Sequence, residues 1–570
     1  MSNTLTFDTF QEPGSSATDA IYYLTKAQAA LEEENLLLVI ENLMKAHKIE
    51  PDEIEILVAM VDIQGKLEHW KQLLPNLDVL INLQPDEIKW PINRLVALHA
   101  CKAFEETVEE SILLLKRYPK HIKILSLLAS AYYELNDYSL GLDVVNDLIE
   151  LNPGLAEPFL IRGLIYRSMG EPERAKTDLF KAESFGENST LLFNALGAWY
   201  ADLHQHEVAL DYYSKALSLS KGGTDAAKMA LNASLSAMSL GEFDKGWQFY
   251  AYRKFGAISK ETTYPAWQGE NLSGKHLVVR REQGLGDELR FSSVIAEVAE
   301  EAKLITLECD PRLVKLYQRS FPHNVRLVGI RSMGGESDHG NSYLEVDCAA
   351  HIGDLSQYRR QSLDDFPEHY GYLNPDPQKV GYWTDYLEKL EGKINVGITW
   401  KSGNVEGHRS NIYTNIEHWL PVFAIKDINF VNLYYGDGEE ELKWVEAQIG
   451  VKVHTPKGID LKNDIDALSA LMASLDLVVG PSTAPINLAM GVKGASTWVL
   501  PFRPFNSQGP FYFGQAYFPW SPAAKPIFGD GFKETMDVVA EELALIVQTN
   551  DPKLTLAELS KVMYSCYGAS

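Results

Sequence analysis

Arg281-Glu282-Gln283-Gly284-Leu285-Gly286-Asp287 joins an apolar run to an amphipathic stretch, and it decides how the second half of the chain folds. His276-Leu277-Val278-Val279 before it is typical of a short buried strand, and Leu289, Val294 and Val298 after it recur at roughly helical spacing. A glycine turn between a strand and a helix lets the backbone approach a ligand, and the first N–H groups of the helix then face an anion. The same turn without a ligand is an equally good interpretation of these seven residues alone.

Length and composition restrict the classes of protein. A chain of 570 residues is too long for one core, so two to four domains are expected. The formal net charge of −26 argues against nucleic acid and anionic membranes as main partners, without excluding a local basic pocket. The polar N-terminus predicts no signal peptide, and the absence of a run of about 18 apolar residues predicts no membrane span. The widely spaced cysteines form no metal-like or redox pair, which favours a reduced, cytoplasmic compartment. They are Cys101, Cys309, Cys348 and Cys566.

The first half of the chain is an array of repeats. Prolines follow one another there at intervals of 34 residues, the period of tetratricopeptide helix pairs. These prolines are Pro51, Pro85, Pro119 and Pro153. Because proline cannot continue a helix, each is expected to follow the second helix of a unit. We therefore predict a tetratricopeptide solenoid over residues 18–260, preceded by a flexible N-terminus over residues 1–17.

The array varies along its length. Gly163 and Gly197 are again 34 residues apart, where small residues let the two helices of a pair approach, whereas the units around residues 20–118 are degenerate. An aromatic cluster in the last pair is expected to dock the solenoid onto the next domain rather than to bind a ligand. This cluster consists of Trp247, Tyr250 and Tyr252. A solenoid presents a long concave surface, so the first half predicts a protein partner and no chemistry.

After Asp287, strand-like and helix-like segments alternate, which implies parallel sheets with crossover helices. The predicted strands are 276–279, 304–307, 325–328, 394–400, 428–434, 451–453, 475–479 and 496–500. The predicted helices are 288–302, 311–320, 415–425, 439–449, 464–473 and a short one ending near Gly491. A loop is predicted at 331–341 and a link between domains at 363–378. Residues 281–287, Lys401 and 480–484 all follow strands, where ligands of parallel sheets bind, so facing loops of two sheets would form one cleft.

Three segments, in this order, resemble GT-B glycosyltransferases: Glu282–Asp287, Val396–Trp400 and Gly480–Ala489. The strongest resemblance is to bacterial tetratricopeptide proteins with a heptosyltransferase-like C-terminal half, some of which are flagellin O-glycosyltransferases. O-linked N-acetylglucosamine transferase, which joins the same two modules, is more distantly similar. Gly246–Arg253 with Pro265–Gly269 also resembles the junction in the bacterial proteins.

The resemblance implies a fold and a reaction. It implies an N-terminal Rossmann-like domain on the acceptor side over residues 261–378. A C-terminal Rossmann-like domain over residues 379–570, which includes the C-terminal helices, would bind a nucleotide-sugar. The implied reaction transfers a sugar from that donor without a required metal or a further cofactor. Asp464-Ile465-Asp466 has the form of a metal-binding Asp-x-Asp, but it opens a helix and is better explained by N-capping.

The resemblance also implies site residues. Asp287 matches the heptosyltransferase aspartate that is the candidate general base. Lys401 and Arg409 match positions expected near the donor phosphates. Ser482 and Thr483 match the loop that holds the diphosphate at a helix N-terminus. The full set of donor-binding candidates is Gly284, Gly286, Lys401, Arg409, Ser482, Thr483 and Asn487.

The chain departs from the family pattern in two places. Pro481-Ser482-Thr483 stands where the family usually has Asp-Thr, and Asn487 stands where it often has His. Asparagine can hydrogen-bond a ligand but cannot shuttle a proton. These departures leave the identity of the donor open and raise the alternative of an inactive cleft.

The chemistry explains the residue types. A carboxylate can remove the acceptor proton, and Lys, Arg and a helix N-terminus can stabilise the leaving nucleotide. Simpler alternatives are open: Asp287 and Thr483 could cap helices, and the two basic residues could be solvated loop charges. Weaker site candidates are Glu282, Gln283, Arg290 and Tyr434. For Tyr434, core packing is favoured over stacking on a base. The aromatic segment 511–520 is expected to cover the cleft or the domain seam.

The sequence as a whole predicts a cytoplasmic protein O-glycosyltransferase that moves a sugar onto Ser or Thr of a bacterial protein, with flagellin the best guess. The solenoid would bind the acceptor protein, and the cleft would bind the nucleotide-sugar. One alternative is a non-catalytic repeat adaptor with a degenerate cleft. Another is transfer to a lipid or polysaccharide, against which the solenoid and the lack of a basic amphipathic stretch argue. Self-association through the solenoid helices stays open.

Overall fold

The structure is a computed structural model that describes most of the chain. The described residues are 16–220, 222–255, 264–331, 343–366, 371–403, 413–500, 518–521, 524–527, 529 and 531–549. Contacts divide the chain into two compact units, Met1–Glu187 and Asn188–Ser570. Arg409, Cys566 and almost all of the predicted loop 331–341 lie outside the described residues.

The described residues of the first unit form ten helices that pack in consecutive pairs. They are α1 Ser16–Glu32, α2 Leu36–Ile49, α3 Ile54–Lys66, α4 Trp70–Leu83, α5 Lys89–Ala100, α6 Phe104–Arg117, α7 Ile122–Leu135, α8 Tyr138–Leu151, α9 Ala156–Ser168 and α10 Pro172–Ser184. Each of α2, α4, α6 and α8 ends two residues before one of the four periodic prolines. The predicted tetratricopeptide-like helical repeats are therefore confirmed, and the earlier units form helix pairs as the later ones do.

Close packing within one pair depends on a glycine. Gly163 on α9 lies against α10, where a Cβ would be 2.9 Å from Cγ of Leu179. A larger residue would push the two helices apart, because a packed interior has no room for an extra methyl group. The same two helices are joined by Arg162, which donates to both carboxylate oxygens of Asp178 at 2.7 and 2.9 Å.

The second unit begins with four more helices. They are α11 Thr190–Asp202, α12 His206–Leu219, α13 Gly223–Ser239 and α14 Phe243–Tyr250. From α14, Nε1 of Trp247 donates to the backbone oxygen of Arg360 at 2.6 Å. Trp247 and Tyr250 are buried in one core with the strands that follow, whereas Tyr252 is 42% exposed. The prediction that aromatic residues dock the last helix pair onto the α/β region is confirmed for Trp247 and Tyr250.

Four parallel strands form a first sheet in the order β3-β2-β1-β4. They are β1 His276–Arg280, β2 Leu304–Cys309, β3 Val325–Gly329 and β4 Cys348–His351. The accompanying helices are α15 Leu285–Phe291, α16 Ile295–Glu301, α17 Val314–Ser320 and α18 Leu355–Arg359. The single helix predicted over 288–302 is wrong in detail, because a 3₁₀ turn at Ser292–Val294 separates α15 from α16.

Strand β4 was not predicted from the sequence. Its residues, Cys-Ala-Ala-His, include no β-branched side chain, so neither propensity nor alternation marks them. The strand forms because it pairs in parallel with β1, where Leu277 lies opposite Cys348 and Val279 lies opposite Ala350.

Five parallel strands form a second sheet in the order β6-β5-β7-β8-β9. They are β5 Ile394–Ile398, β6 Ile428–Asn432, β7 Leu477–Pro481, β8 Thr497–Leu500 and β9 Ala524–Pro526. The helices of this region are α19 Pro377–Leu387, α20 Leu420–Phe423, α21 Glu439–Ile449, α22 Ile465–Ser474, α23 Ala484–Gly491 and α24 Phe532–Thr549. Both sheets are parallel with crossover helices, as the alternation predicted.

Three predictions for this second sheet need correction. The strand expected at 451–453 is not formed, and His454 instead makes an isolated bridge to Val431. The helix expected at 415–425 is a 3₁₀ turn, Ile416–Trp419, followed by the one-turn α20. Strand β9 was missed, because three residues that end in proline carry no strand pattern.

Helices of the second sheet pack against helices of the first. Helix α22 contacts α17, and α23 contacts α15. The backbone N–H groups of Tyr372 and Leu373 both donate to the oxygen of Gly491, at 2.8 Å each. The turns at the carboxyl ends of β1 and β7, which lead into α15 and α23, are therefore brought together.

A membrane-spanning helix and a metal-binding cluster are both absent from the described residues. In that part of the chain, no helix is long and apolar enough to cross a bilayer. Nor do its residues gather three or more His, Cys, Asp or Glu side chains into a group that could hold a metal ion.

Candidate functional site

The turn after β1 and the turn after β7 lie against each other, as expected for facing loops. A Cβ on Gly286 would be 3.3 Å from Nδ2 of Asn487 and 3.8 Å from Cα of Ala484. Glycine at position 286 thus allows the close approach of α15 to α23. By contrast, a Cβ on Gly284 would meet open space.

One arginine connects the two turns. Nη1 of Arg290, on α15, donates to Oδ1 of Asp287 at 3.1 Å, and its Nη2 donates to Oδ1 of Asn487 at 3.1 Å. The Asn487 amide then donates from Nδ2 to the backbone oxygen of Thr483 at 2.9 Å. Arg290 and Asn487 are buried, whereas the Asp287 side chain is 37% exposed. The sequence-predicted residues Asp287, Arg290, Thr483 and Asn487 therefore form one hydrogen-bonded set.

Neither Asp287 nor Thr483 caps its helix with its side chain. Gly284 occupies the N-cap position of α15, and Asp287 lies inside the first turn, where a negative charge is favourable. Thr483 occupies the N-cap position of α23, but its hydroxyl donates to the oxygen of Pro481 at 3.1 Å. Ser482 is half-buried next to it. The first-turn N–H groups of α23 therefore donate no hydrogen bond to the Thr483 side chain.

Lys401 is held by an acidic partner. It follows β5, and its Nζ lies 2.8 Å from Oε2 of Glu441 on α21 and 5.4 Å from the ring centre of Tyr434. The same carboxylate oxygen accepts a hydrogen bond from Nε1 of Trp400 at 3.2 Å. Lys401 is 24% exposed, so it is not the fully solvated loop charge of the simpler interpretation.

A cavity of about 600 Å³ opens beside the carboxyl end of β6. It lies between the residues after β6, helix α21 and the segment before α22, and both signs of charge line it. The lining residues are Asn432, Tyr434, Tyr435, Gly436, Asp437, Gly438, Glu439, Leu442, Lys443, Glu446, Lys452, Val453, Thr455, Ile459, Asp460, Leu461 and Lys462. Tyr434 forms part of the wall while its ring packs on Trp400, with ring centres 4.7 Å apart, and burial raises the pKa of its hydroxyl. The favoured core role of Tyr434 is thus confirmed, and the residue also faces the cavity.

A chain of ion pairs, which the sequence did not predict, runs from the glycine turn to the cavity rim, and all its members except Arg312 are buried. Arg281 donates to Glu288 at 2.7 Å and to Asp310 at 2.9 Å. Asp310 also accepts from Arg312 at 2.8 Å, and Nη1 of Arg312 donates to the backbone oxygen of Lys462 at 3.0 Å. Burial raises the pKa of Glu288 to about 7, although the Arg281 guanidinium acts in the opposite direction. Asp310 lies three residues after the predicted strand 304–307, near the carboxyl end where ligands of parallel sheets bind, and this position was the signal that could have identified it.

The weaker candidates Glu282 and Gln283 face the last helix of the repeats. Glu282 is fully buried and accepts from Nε and Nη2 of Arg253 at 3.0 and 2.8 Å, and from the N–H of Gly353 at 2.7 Å. Gln283 has φ of 58°, a left-handed conformation, and its amide donates to the hydroxyl of Tyr250 at 2.9 Å. These contacts favour a structural role for both residues, because their polar atoms already have protein partners.

The Asp464-Ile465-Asp466 segment behaves as predicted. Asp464 is the N-cap of α22, and its carboxylate accepts from the N–H of Ala467 at 3.0 Å. Asp466 pairs with Arg319 and, at 2.8 Å, with Lys379. The N-capping explanation is confirmed.

Comparison with known proteins supplies one relative. No family model matches the chain. The chain is 30% identical over 427 residues to Protein FlbA of Caulobacter vibrioides, and the match covers 71% of this chain and 70% of that protein.

Among solved structures, a tetratricopeptide repeat protein from Parabacteroides merdae is 14% identical, with a TM-score of 0.35 over 42% of this chain and 93% of that one. YrrB, described as a TPR protein with an unusual peptide-binding site, is 15% identical, with a TM-score of 0.26 over 31% of this chain and 91% of that one. Because these TM-scores are low, the repeat architecture rests on the helix pairs themselves. The identity to Protein FlbA, over more than two thirds of both proteins, shows that this chain belongs to the FlbA family.

Proposed function

We propose that the protein is a metal-independent GT-B glycosyltransferase that moves a sugar from a nucleotide-sugar to Ser or Thr of an acceptor protein. The observation that supports this best is the meeting of the turns after β1 and β7. It brings the partly exposed carboxylate of Asp287 next to the Ser482–Asn487 segment at the start of α23. A proton acceptor and a phosphate-binding helix end are the two parts that the reaction needs.

In this proposal, the cavity beside β6 takes the nucleotide. Its volume of about 600 Å³ lies within the range of about 300–1,000 Å³ that small-molecule sites occupy. Tyr434, Leu442 and Val453 offer apolar surface to a base, and Lys443 and Lys452 offer charge to phosphates. The acidic residues of the same wall can accept hydrogen bonds from sugar hydroxyl groups, whereas they would repel any anion other than the phosphates.

The reaction would proceed as a single displacement of the phosphate. The acceptor hydroxyl oxygen attacks the anomeric carbon, Asp287 takes the hydroxyl proton, and the bond from that carbon to the phosphate oxygen breaks. Lys401 and the first-turn N–H groups of Ala484 and Ile486, between which Pro485 has none, would stabilise the negative charge on the leaving nucleotide. Arg290 donates to Oδ1 of Asp287 and so orients the carboxylate that would take the proton.

The repeats would bind the acceptor protein. Helical repeat arrays bind partners along an extended surface, and ten such helices precede the second unit. The resemblance noted from the sequence makes flagellin the first acceptor to test. Sugar, nucleotide and acceptor site are left to experiment.

A non-catalytic adaptor is the second candidate, and two contacts favour it. Lys401 is paired with Glu441, so a donor phosphate would have to displace that carboxylate. Asn487 is engaged by Arg290 and Thr483 rather than turned to a ligand. In this alternative the repeats bind a partner and the cavity takes no donor.

Melting temperature in the presence of nucleotides tests the proposal. Uridine, guanosine, cytidine and adenosine diphosphates and cytidine monophosphate are screened without metal, and a ligand at 100 times its Kd stabilises by about 2.7 kcal/mol. Lys452→Glu, in the cavity wall, should abolish the stabilisation. Lys457→Glu, a matched charge change on the same segment outside the wall, should not. The corresponding nucleotide-sugar should then label Ser or Thr of flagellin. A chain that responds to no nucleotide and labels no acceptor would overturn the proposal and favour the adaptor.

A further inference from the structure

We propose that Arg290 is a positioning residue that holds the Asp287 carboxylate in register with the turn that begins α23, an inference that rests on the proposed function. Arg290 donates from separate nitrogens to Asp287 on its own helix and to Asn487 on α23, at 3.1 Å each. Asp287 therefore has a fixed orientation toward the place where the leaving phosphate would sit.

The guanidinium suits this task. It is planar and presents its donors in a rigid fork, so two acceptors bound to it are also fixed relative to each other. The Arg290 side chain is only 5% exposed, and its charged end lies 5.6 Å from the ring centre of Phe518. Packing of this kind limits the rotamers that Arg290 can adopt.

Asn487 completes the connection because its amide both accepts and donates. Its Oδ1 accepts from Arg290, while its Nδ2 donates to the oxygen of Thr483 at 2.9 Å and more weakly to Ser482 Oγ at 3.5 Å. A carboxylate at this position would have no proton to donate to Thr483. The asparagine is thus explained by its two neighbours, without any proton-shuttle role.

The close approach of α15 to α23 also depends on Gly286. Gly286, one residue before Asp287, leaves only enough space for the Asn487 amide, since a Cβ there would lie 3.3 Å from Nδ2. Two features therefore keep Asp287 beside α23: the close approach of the backbone at Gly286 and the hydrogen bond from Arg290.

Another arginine supplies a matched control. Arg319, on α17, pairs with Asp466 on α22 and also joins the first-sheet side to the second-sheet side. Within the described part of the chain, its side chain donates to Asp466 and to the backbone oxygen of Asn374 and to none of the site residues, so Arg319→Gln tests the loss of an ion pair between these helices without disturbing Asp287.

The experiment measures transfer kinetics for Arg290→Gln, Arg290→Lys and Arg319→Gln. We expect Arg290→Gln to lower kcat by about 10- to 100-fold, the scale of a misplaced catalytic group, while the donor KM changes less than about threefold. Arg290→Lys should recover part of the loss, because an ammonium still neutralises Asp287 but cannot hold both acceptors in fork geometry. Arg319→Gln should lower the melting temperature and leave kcat within about threefold of wild type.

A double-mutant cycle separates positioning from a general structural effect. If Arg290 acts through Asp287, adding Arg290→Gln to Asp287→Asn should lower kcat by less than about threefold further. Because Asp287→Asn could leave too little transfer to measure, Arg290→Gln is also combined with Asn487→Ala, and that pair should be non-additive too. Fully additive losses in both cycles, or an equal kcat loss in Arg319→Gln, would overturn the positioning role alone. Absence of any transfer by the wild-type protein would instead overturn the proposed function and this inference with it.

Discussion

Two Glu–Arg ion pairs have the same N–O distance but differ in burial. Comparing them measures how burial changes the contribution of an ion pair to stability. Glu282 and Arg253 approach to 2.8 Å with the glutamate fully buried, and Glu301 and Arg359 approach to 2.8 Å with the glutamate 46% exposed. Both pairs lie in the unit Asn188–Ser570. The substitutions compared are Glu282→Ala and Glu301→Ala.

The magnitudes follow from the partners that each substitution leaves behind. Glu282→Ala leaves the buried Arg253 guanidinium with a single carboxylate partner, Asp354, and removes the acceptor of the Gly353 N–H. Together these losses are expected to cost about 3–5 kcal/mol of stability. Glu301→Ala should cost about 0.2–1 kcal/mol, because water replaces an exposed partner. For a unit of about 380 residues, the entropy of unfolding is about 0.8 kcal/mol per degree. The melting temperature should therefore fall by about 4–6 °C for Glu282→Ala and by about 0.3–1 °C for Glu301→Ala.

Thermal unfolding followed by circular dichroism, with urea unfolding for the free energy, measures both variants. Glu282→Gln is a third variant, which keeps the shape and one acceptor oxygen and should lie between the other two. Equal losses for Glu282→Ala and Glu301→Ala would refute the reasoning, because they would mean that burial does not set the cost. A loss below about 1 kcal/mol for Glu282→Ala would refute it as well.

Three further predictions concern the glycine turn, pH and the repeat boundary. Gly286→Ala should destabilise the protein by about 1–3 kcal/mol, because the new Cβ would crowd the Asn487 amide. Gly284→Ala, which has open space around it, should stay within about 0.5 kcal/mol of wild type, and urea unfolding measures both variants. The pKa of Glu288, about 7 against an ordinary 4.5, means that this group holds more protons in the folded than in the unfolded chain between these values. Its contribution to the free energy of unfolding should therefore fall as the pH rises from 4.5 to 7, and Glu288→Gln should remove that contribution in urea titrations. Deletion of residues 1–187 should leave the melting temperature of the second unit nearly unchanged. Deletion of residues 1–220 also removes α11 and α12, which pack on α13, so it should lower the melting temperature and increase proteolysis. A shorter deletion that is as damaging as the longer one would contradict the boundary at Glu187.

The sequence predicts those features that a local pattern encodes. The 34-residue spacing of Pro51, Pro85, Pro119 and Pro153 depends on one helix pair at a time, and the structure has a helix ending before each of them. The cap at Asp464 depends on a backbone N–H three residues away. These predictions hold because the interactions that decide them lie within a few residues.

The features that were missed depend on distant partners. Strand β4 forms because it pairs with β1, about 70 residues earlier, and its own residues have little strand propensity. In the site, Arg290 was only a weaker candidate, because its importance comes from Asn487, 197 residues away. Arg281, Glu288, Asp310 and Arg312 were not candidates at all, because the ion pairs that link them exist only once β1 and β2 are side by side. The position of Asp310 near a strand end is visible in a single sequence, but the partners with which these four residues pair are not.

The glycine turn and the residue after it contain three acidic side chains, Glu282, Asp287 and Glu288, and burial distinguishes them. Glu282 is fully buried against Arg253, and Glu288 is fully buried against Arg281, so the carboxylates of both are already bonded to protein. Asp287 is 37% exposed, and Arg290 holds it from the protein side. A fully buried carboxylate cannot reach an acceptor hydroxyl without breaking its ion pair, at an expected cost of about 3–5 kcal/mol, whereas Asp287 can reach one while Arg290 still holds it. Among these three residues, the candidate general base is therefore Asp287, and the two buried pairs on either side of it fix the backbone from which it projects.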